Sequence, residues 1–267
     1  MTDVLALLPP GAPLILRDGD RVVLAEQALE GLMRAEAYRP TDPAHCRLPV
    51  ADIVSDDGLR IDQLLFGEVF DILERRQDRA WGRARRDGVV GWVTLEALAP
   101  GAPLATHRVA SVDADLPLNA LLADVSQDGL DEADLQCVGD FERDPVAVAE
   151  RLLGRPHALG ARSSRETDCS GLVQQALLAC GLPGPRRADD QARLGRAVSR
   201  DEARRGDLVL WLSQALGDWT GHSAMMVDAD QVIHSTGARS GVVIETLAEV
   251  EARLTADGFA SAIFRRV

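Results

Sequence analysis

The stretch TDCSGLVQQAL, Thr167–Leu177, sets a cysteine and a serine between an aspartate and a glycine and then runs into an apolar segment. Leu172, Val173, Ala176, Leu177 and Cys180 recur at helical spacing, which predicts a helix from about Asp168 to Ala179 with one face buried against a sheet. Thr167 or Asp168 can cap its first turn, and Cys180-Gly181 followed by Pro183 and Pro185 ends it. Cys169 then sits in the first turn, where unpaired backbone N–H groups and the helix dipole favour a thiolate. Gly171 lets another chain segment approach closely. The competing reading is a small buried residue, because free cysteine packs well in cores.

Downstream the pattern changes to strands. GDLVLWL, SAMMVDAD, QVIHSTG and GVVIETL follow one another, with SAIFRRV at the end. Short helices are expected over FERDPVAVAERLLG (141–154), opening near Asp144-Pro145, and over 187–194. Helices first and an antiparallel sheet afterwards predict an α+β domain over 141–267. If a hairpin turns at Asp228–Asp230, His222 and His234 lie on neighbouring strands, equidistant from the turn and within reach of each other. One imidazole can serve as base to a thiol and the other can orient it. A zinc site built from Cys169, His222 and His234 is conceivable, but HExxH and CxxC spacings are absent. No glycine-rich strand-to-helix turn suggests a nucleotide, so neither metal nor cofactor is expected.

Upstream, residues 46–100 read as a different domain. ADIVS, IDQLLFG, EVFDILER, AWGRARR and VGWVTLEAL are short strand candidates, with turns at Asp57-Gly58, Gln77-Asp78 and Asp87-Gly88. Five short strands in so little chain fit a small closed barrel. Residues 101–140, with THRVASV, NALLADVS and DLQCVG, are expected to form a second, shortened barrel. VVLAEQALEGLMRAEAY (22–38) has apolar residues at Leu24, Ala28, Leu32 and Ala35, which predicts a helix within an N-terminal extension, 1–45.

The 267 residues carry 29 Lys+Arg, every one arginine, against 42 Asp+Glu, a formal charge of -13. That balance disfavours nucleic acid and anionic membrane as partners. The N-terminus reads as neither a signal peptide nor an anchor, so a cytoplasmic location with free thiols at Cys46, Cys137, Cys169 and Cys180 is expected. Composition and spacing say nothing of the oligomeric state.

DCSGLVQ at 168–174, RRGDLVLW at 204–211, GH at 221–222 and VIHS at 232–235 resemble the NlpC/p60 family of cell-wall cysteine peptidases. The flanks FERDPVAVAERLLGRPHALGARSS and PGPRRADDQ are also similar, and LLFGE and GWV resemble the N-terminal bacterial SH3-like barrels of one branch. The resemblance implies a papain-like C-terminal domain, preceded by the N-terminal helix and the small all-β barrels. It further implies a γ-D-glutamyl-L-diamino-acid endopeptidase acting on short murein peptides with a free N-terminal L-Ala. In this reading Cys169 attacks the scissile carbonyl, His222 activates the thiol and His234 orients His222. Asp168 and Ser170, with Arg186 and a barrel carboxylate at Glu68, would bind the substrate, its amino end being recognised at the first barrel. The sequence offers His157, Leu159, Gly160 and Ala161 where the family has a tyrosine and a tryptophan before two glycines, departing at His157, Leu159 and Ala161, and again at Val89, usually tyrosine. Those departures bear on specificity and on the oxyanion environment. They leave open an amidase or acyltransferase on another small substrate, or a peptide-binding module without catalysis.

Overall fold

A computed structural model describes residues 12–123, 130–213 and 221–267. The chain divides into two compact units: residues 1–106 with 120–125, and residues 107–119 with 126–267.

The first unit is all β. Strands β1 (Ile15–Asp18) and β2 (Arg21–Glu26) form a hairpin, and β3 (Tyr38–Arg39) lies parallel to β2. Seven further strands make one sheet in the order β10-β4-β7-β8-β9-β5-β6. They are β4 (Asp42–Cys46), β5 (Val50–Val54), β6 (Arg60–Leu65), β7 (Val69–Arg76), β8 (Arg79–Ala84), β9 (Val90–Thr94) and β10 (Leu98–Pro100). Alternate residues, among them Cys46, Ile53, Leu64, Phe70, Ala80, Ala84 and Val93, point into a single core, as period-two burial requires. The barrel therefore starts at Asp42, and it has seven strands rather than five.

The helix expected over 22–38 does not form. Val22 and Val23 are β-branched, and across the Gly19 turn Val22 pairs with Arg17 and Leu24 with Leu16, so Leu16 and Leu24 join Leu14, Leu73 and Trp92 in a small second core. Trp81 Nε1–H donates to Ile15 O at 2.7 Å, and Arg83 pairs with the buried Glu26, which ties the hairpin to the barrel. The helical spacing of Leu24, Ala28, Leu32 and Ala35 loses to these tertiary partners, and only a 3-10 turn, Gln27–Leu29, remains.

The described residues of 101–140 do not form a second barrel. Among the described residues they hold only β11 (His107–Val109), β12 (Leu121–Leu122), β13 (Leu135–Cys137) and one 3-10 turn; part of NALLADVS falls outside the described residues. The apolar and amide groups of this segment are used elsewhere. Leu118 joins the core of the second unit, Leu118 N–H donates to Ser164 Oγ, and Asn119 Nδ2–H donates to Gln175 O and Oε1. The second unit thus begins near His107 rather than at 141.

That unit is built on a six-stranded antiparallel sheet in the order β14-β19-β15-β16-β17-β18. The strands are β14 (Arg196–Val198), β15 (Leu208–Leu212), β16 (Gly221–Met226), β17 (Gln231–Thr236), β18 (Gly241–Thr246) and β19 (Ile263–Arg266). Helices α1 (Pro145–Glu150) and α2 (Cys169–Ala179) cover one face, through Leu172, Val173, Ala176 and Leu177 against Leu208, Leu210, Met225 and Ile233. Each large side chain buried there contributes about 1.5–3 kcal/mol. Short α3 (Ala188–Gln191) lies near β15 and β16, and α4 (Leu247–Ala256) covers the opposite face over Trp211, Ala224, Met226 and Val232.

Candidate active site

The site of the second unit is a fork in its sheet. The ladder between β16 and β17 holds only two residue pairs, Met225↔Ile233 and Met226↔Val232. Beyond it β16 stays with β15 and β17 with β18, so the strands part where His222 and His234 stand. The N-terminus of α2 meets the fork: Cys169 Sγ lies 4.0 Å from Gly221 O, and the backbone N–H of Ser223 points at the sulfur. A ladder that continued would have used these two backbone groups.

Asp168 holds the cysteine in place. It is the N-cap of α2, with Oδ1 accepting from Gly171 N–H at 2.8 Å. Oδ1 also accepts from Ser170 Oγ–H, and Oδ2 accepts from Gly160 N–H at 2.9 Å. Arg186 adds two parallel bonds to the carboxylate, 3.0 and 2.6 Å, and one of 2.9 Å to Ser170 Oγ. Asp168, Ser170 and Arg186, three of the predicted binding residues, are therefore buried together and satisfy one another. The charge of Asp168 is already matched by a guanidinium. Glu68, the fourth, belongs to the first unit, where it accepts from Leu65 N–H and pairs with Arg86.

His222 and His234 meet directly, Nε2 to Nδ1 at 2.7 Å with the rings nearly perpendicular. His234 Nε2 contacts Glu245 Oε2 at 2.9 Å. Glu245 in turn accepts from Arg253 at 2.7 and 3.1 Å and from Arg239 at 3.0 Å. The sequence reading missed this carboxylate and its two arginines. The signal was present: Glu245 interrupts the apolar run GVVI of β18, and the register Val232↔Glu245, His234↔Val243 makes it a diagonal neighbour of His234.

His157 stands beside this group. Ser235 Oγ–H donates to Thr167 O at 2.7 Å, so Ser235 Oγ can only accept from His157, at 2.9 Å from Nδ1. Leu159 is exposed, whereas Ala161 is buried against the turn that carries Cys169.

The electrostatics run against a preformed thiolate. Burial pushes the Cys169 thiol up to about 12, the Asp168 carboxylate adds to the rise, and the N–H groups of Ser223 and Ser170 with Arg186 oppose it only in part. Desolvation thus outweighs the helix start invoked from the sequence. Burial also holds His222 well below the ordinary histidine value, with His234, Arg253 and His157 acting in the same direction. His234 is lowered to about 4, again chiefly by burial. Glu245 is lowered to about 2 by its bonds from Arg253 and Arg239. The resting site is a neutral thiol beside neutral imidazoles and an ionised carboxylate. Such a set can transfer a proton from sulfur to imidazole as a bond forms at sulfur, which is nucleophilic catalysis with general-base assistance. Among the described residues no cluster of three His, Cys, Asp or Glu is placed to hold a metal ion, and no helix is long and apolar enough to cross a membrane.

Comparison with known proteins adds to this geometry. Residues 154–255 match the NlpC/P60 family, and residues 54–98 match the bacterial dipeptidyl-peptidase SH3 domain. The chain is 34% identical over 97 residues to an Escherichia coli protein named murein DD-endopeptidase MepS/murein LD-carboxypeptidase, covering 36% of this chain and 50% of that one. It is 30% identical over 106 residues to the γ-D-glutamyl-L-lysine dipeptidyl-peptidase of Bacillus subtilis, covering 40% of this chain and 36% of the relative. These matches span half or less of each relative's length. A crystal structure of an NlpC/P60 family protein from Bacillus cereus superimposes with a TM-score of 0.70 at 18% identity, over 84% of this chain and 99% of that one, which establishes a shared fold.

Proposed function

From an NlpC/P60 chain that carries a bacterial dipeptidyl-peptidase SH3 domain, we propose a cysteine peptidase that cleaves the γ-D-glutamyl-L-diamino-acid bond of short murein peptides bearing a free N-terminal L-Ala. The observation that carries the reading is Cys169, first residue of a capped helix, set in the sheet fork beside the His222–His234 contact of 2.7 Å. Cys169 Sγ attacks the γ-carbonyl of D-glutamate while His222 accepts the thiol proton. The backbone N–H of Cys169 polarises the carbonyl as negative charge develops on its oxygen. The imidazolium of His222 then gives its proton to the departing amine of the diamino acid, leaving an acyl-enzyme. A water, deprotonated by the same imidazole, hydrolyses the thioester and restores the thiol.

Incubation of the reduced protein with L-Ala-γ-D-Glu-diaminopimelate, followed by mass spectrometry, tests this. L-Ala-D-Glu and free diaminopimelate are the expected products, and Cys169→Ala should release neither while remaining folded. No cleavage by the unmodified protein overturns the proposal. His234→Ala should cost less in kcat than His222→Ala, because His234 only orients the base.

The finer parts of the reading are a role in peptide recycling and a cytoplasmic location, which fractionation of the source cell checks. An amidase acting on another small substrate is the second reading. It is supported by His157 and the exposed Leu159, which stand where the resembled family carries aromatic residues. A panel of γ-glutamyl amides would separate the two.

A further inference from the structure

Glu245 ends a chain of hydrogen bonds whose direction it alone can set. An ionised carboxylate accepts and never donates, and two guanidinium groups hold this one ionised. The 2.9 Å contact to His234 Nε2 therefore requires a proton on Nε2. In neutral His234 that leaves Nδ1 as the lone-pair nitrogen. The 2.7 Å contact to His222 then requires the proton to lie on His222 Nε2. In neutral His222 the remaining basic nitrogen is Nδ1. Nδ1 is the ring nitrogen nearer its own main chain, and the Cys169 sulfur lies against the main chain of residues 221–223.

We propose that Glu245, held by Arg239 and Arg253, is a positioning residue that fixes the tautomers of both imidazoles and so presents His222 Nδ1 as the base. The assignment rests on the reading of Cys169 as nucleophile and His222 as its base. It adds what makes that base competent. A His234 ring carrying its proton on Nδ1 would donate to His222 Nε2 and force the His222 proton onto Nδ1. The base would then be blocked with every heavy atom in place. When the thiol proton moves to Nδ1, His222 becomes an imidazolium whose Nε2–H still donates to His234. No proton need leave His234, and Glu245 stays ionised throughout.

Glu245→Gln separates this role from simple packing. One amide must replace an oxygen that now faces guanidinium groups. Placed at the Oε1 position, the NH2 would oppose Arg239 and Arg253 together. Placed at the Oε2 position, it would oppose one nitrogen of Arg253 and donate to His234 Nε2. The second arrangement is the less unfavourable, and it reverses the relay. Glu245→Asp keeps an acceptor on a shorter arm.

The test uses the full chain labelled with 15N-histidine, without substrate, so that it stands even where the chosen peptide is not cleaved. In the unmodified protein at pH 7, His222 should show a protonated Nε2 and an unprotonated Nδ1. The opposite pattern overturns the proposal whether or not any variant folds. In Glu245→Gln the two nitrogens of His222 should exchange roles, and alkylation of Cys169 by iodoacetamide at pH 7 should slow at least tenfold while Cys137 is unaffected. Glu245→Asp should recover part of that rate. The pH profile of alkylation is read alongside, because His157 and Arg253 also act on the two imidazoles, Asp168 on Cys169 and Arg239 on Glu245. An unchanged tautomer and unchanged alkylation in a folded Glu245→Gln protein would show Glu245 to be structural only. Correct tautomers with no peptide cleavage would instead place the failure in the substrate reading.

Discussion

Arg186 and Asp168 together hold the start of the helix that carries Cys169. Their two-pronged contact is buried, and each also serves the α2 start, Asp168 through Gly171 N–H and Arg186 through Ser170 Oγ. Removing one partner of a buried pair typically costs about 3–5 kcal/mol, because the other charge is left uncompensated. Arg186→Ala should therefore lower the melting temperature of the second unit by roughly 10 °C, at about 2–4 °C per kcal/mol for a domain of this size; a scanning calorimetry trace in which that transition does not move would contradict the account. Asp168 also distinguishes two views of substrate binding. Were it an ammonium clamp, Asp168→Asn would reduce the preference in kcat/KM for a free over an N-acetylated tripeptide. With its charge already matched by Arg186, the substitution should lower kcat/KM for both peptides alike and leave their ratio unchanged.

At the scale of elements, the start of α2 depends on one missing side chain. A Cβ added at Gly171 would stand 2.4 Å from Ala161 O, 2.9 Å from Thr167 Oγ1 and 3.0 Å from Arg162 Cβ. The first of these is backbone, so the helix start or the 158–162 turn must shift. Overpacking of this kind costs typically about 1–3 kcal/mol. Gly171→Ala should thus reduce stability in urea by that amount and also slow Cys169 alkylation, since the sulfur moves relative to the sheet fork. The fork itself comes from the short β16–β17 ladder, which leaves Ser223 N–H and Gly221 O for the cysteine.

For the molecule as a whole, the titrating groups of the site predict acid sensitivity. His234 is neutral in the folded state down to about pH 4, whereas an unfolded histidine takes a proton near 6.5. As pH falls through that window the unfolded state binds the extra proton, so stability drops, by roughly 3 kcal/mol at pH 4 from this group alone. Glu245, lowered to about 2, contributes stability present above its unfolded value of 4.5 and lost as pH falls from there towards 2. The two windows adjoin, so the urea midpoint of the second unit should decline steadily below pH 6.5, and His234→Gln should flatten the upper part of the decline. Thiols held protonated up to about 12 at Cys169 and about 11 at Cys180 add an alkaline limb: their stabilisation is complete below the unfolded thiol value and is lost as pH rises through the folded one. Activity should differ from stability at the acid end. A base held below the ordinary histidine range keeps its lone pair in mildly acidic solution, so the acid limb of kcat/KM should lie below pH 6.5.

Local order and pattern were enough to place α2, its Asp168 cap, the strands bearing His222 and His234, and the barrel strands of 50–94. Each of these is specified by residues within a few positions of one another: a helical stripe, a capping aspartate, period-two alternation, a turn between paired strands. The same local reasoning failed at 22–38, where a helical stripe of Leu24, Ala28, Leu32 and Ala35 gave way to a hairpin supported by Leu73, Trp81 and Trp92. It failed again at 101–140, whose Leu118 and Asn119 are spent on the core of the second unit. Only the tertiary structure decided that Asp168 faces Arg186, that the thiol is desolvated beyond what its helix end can offset, and that Glu245 closes the histidine relay. Those properties arise from groups brought together over distances of 11 to 54 residues, and burial and hydrogen-bond direction exist only once the chain has packed.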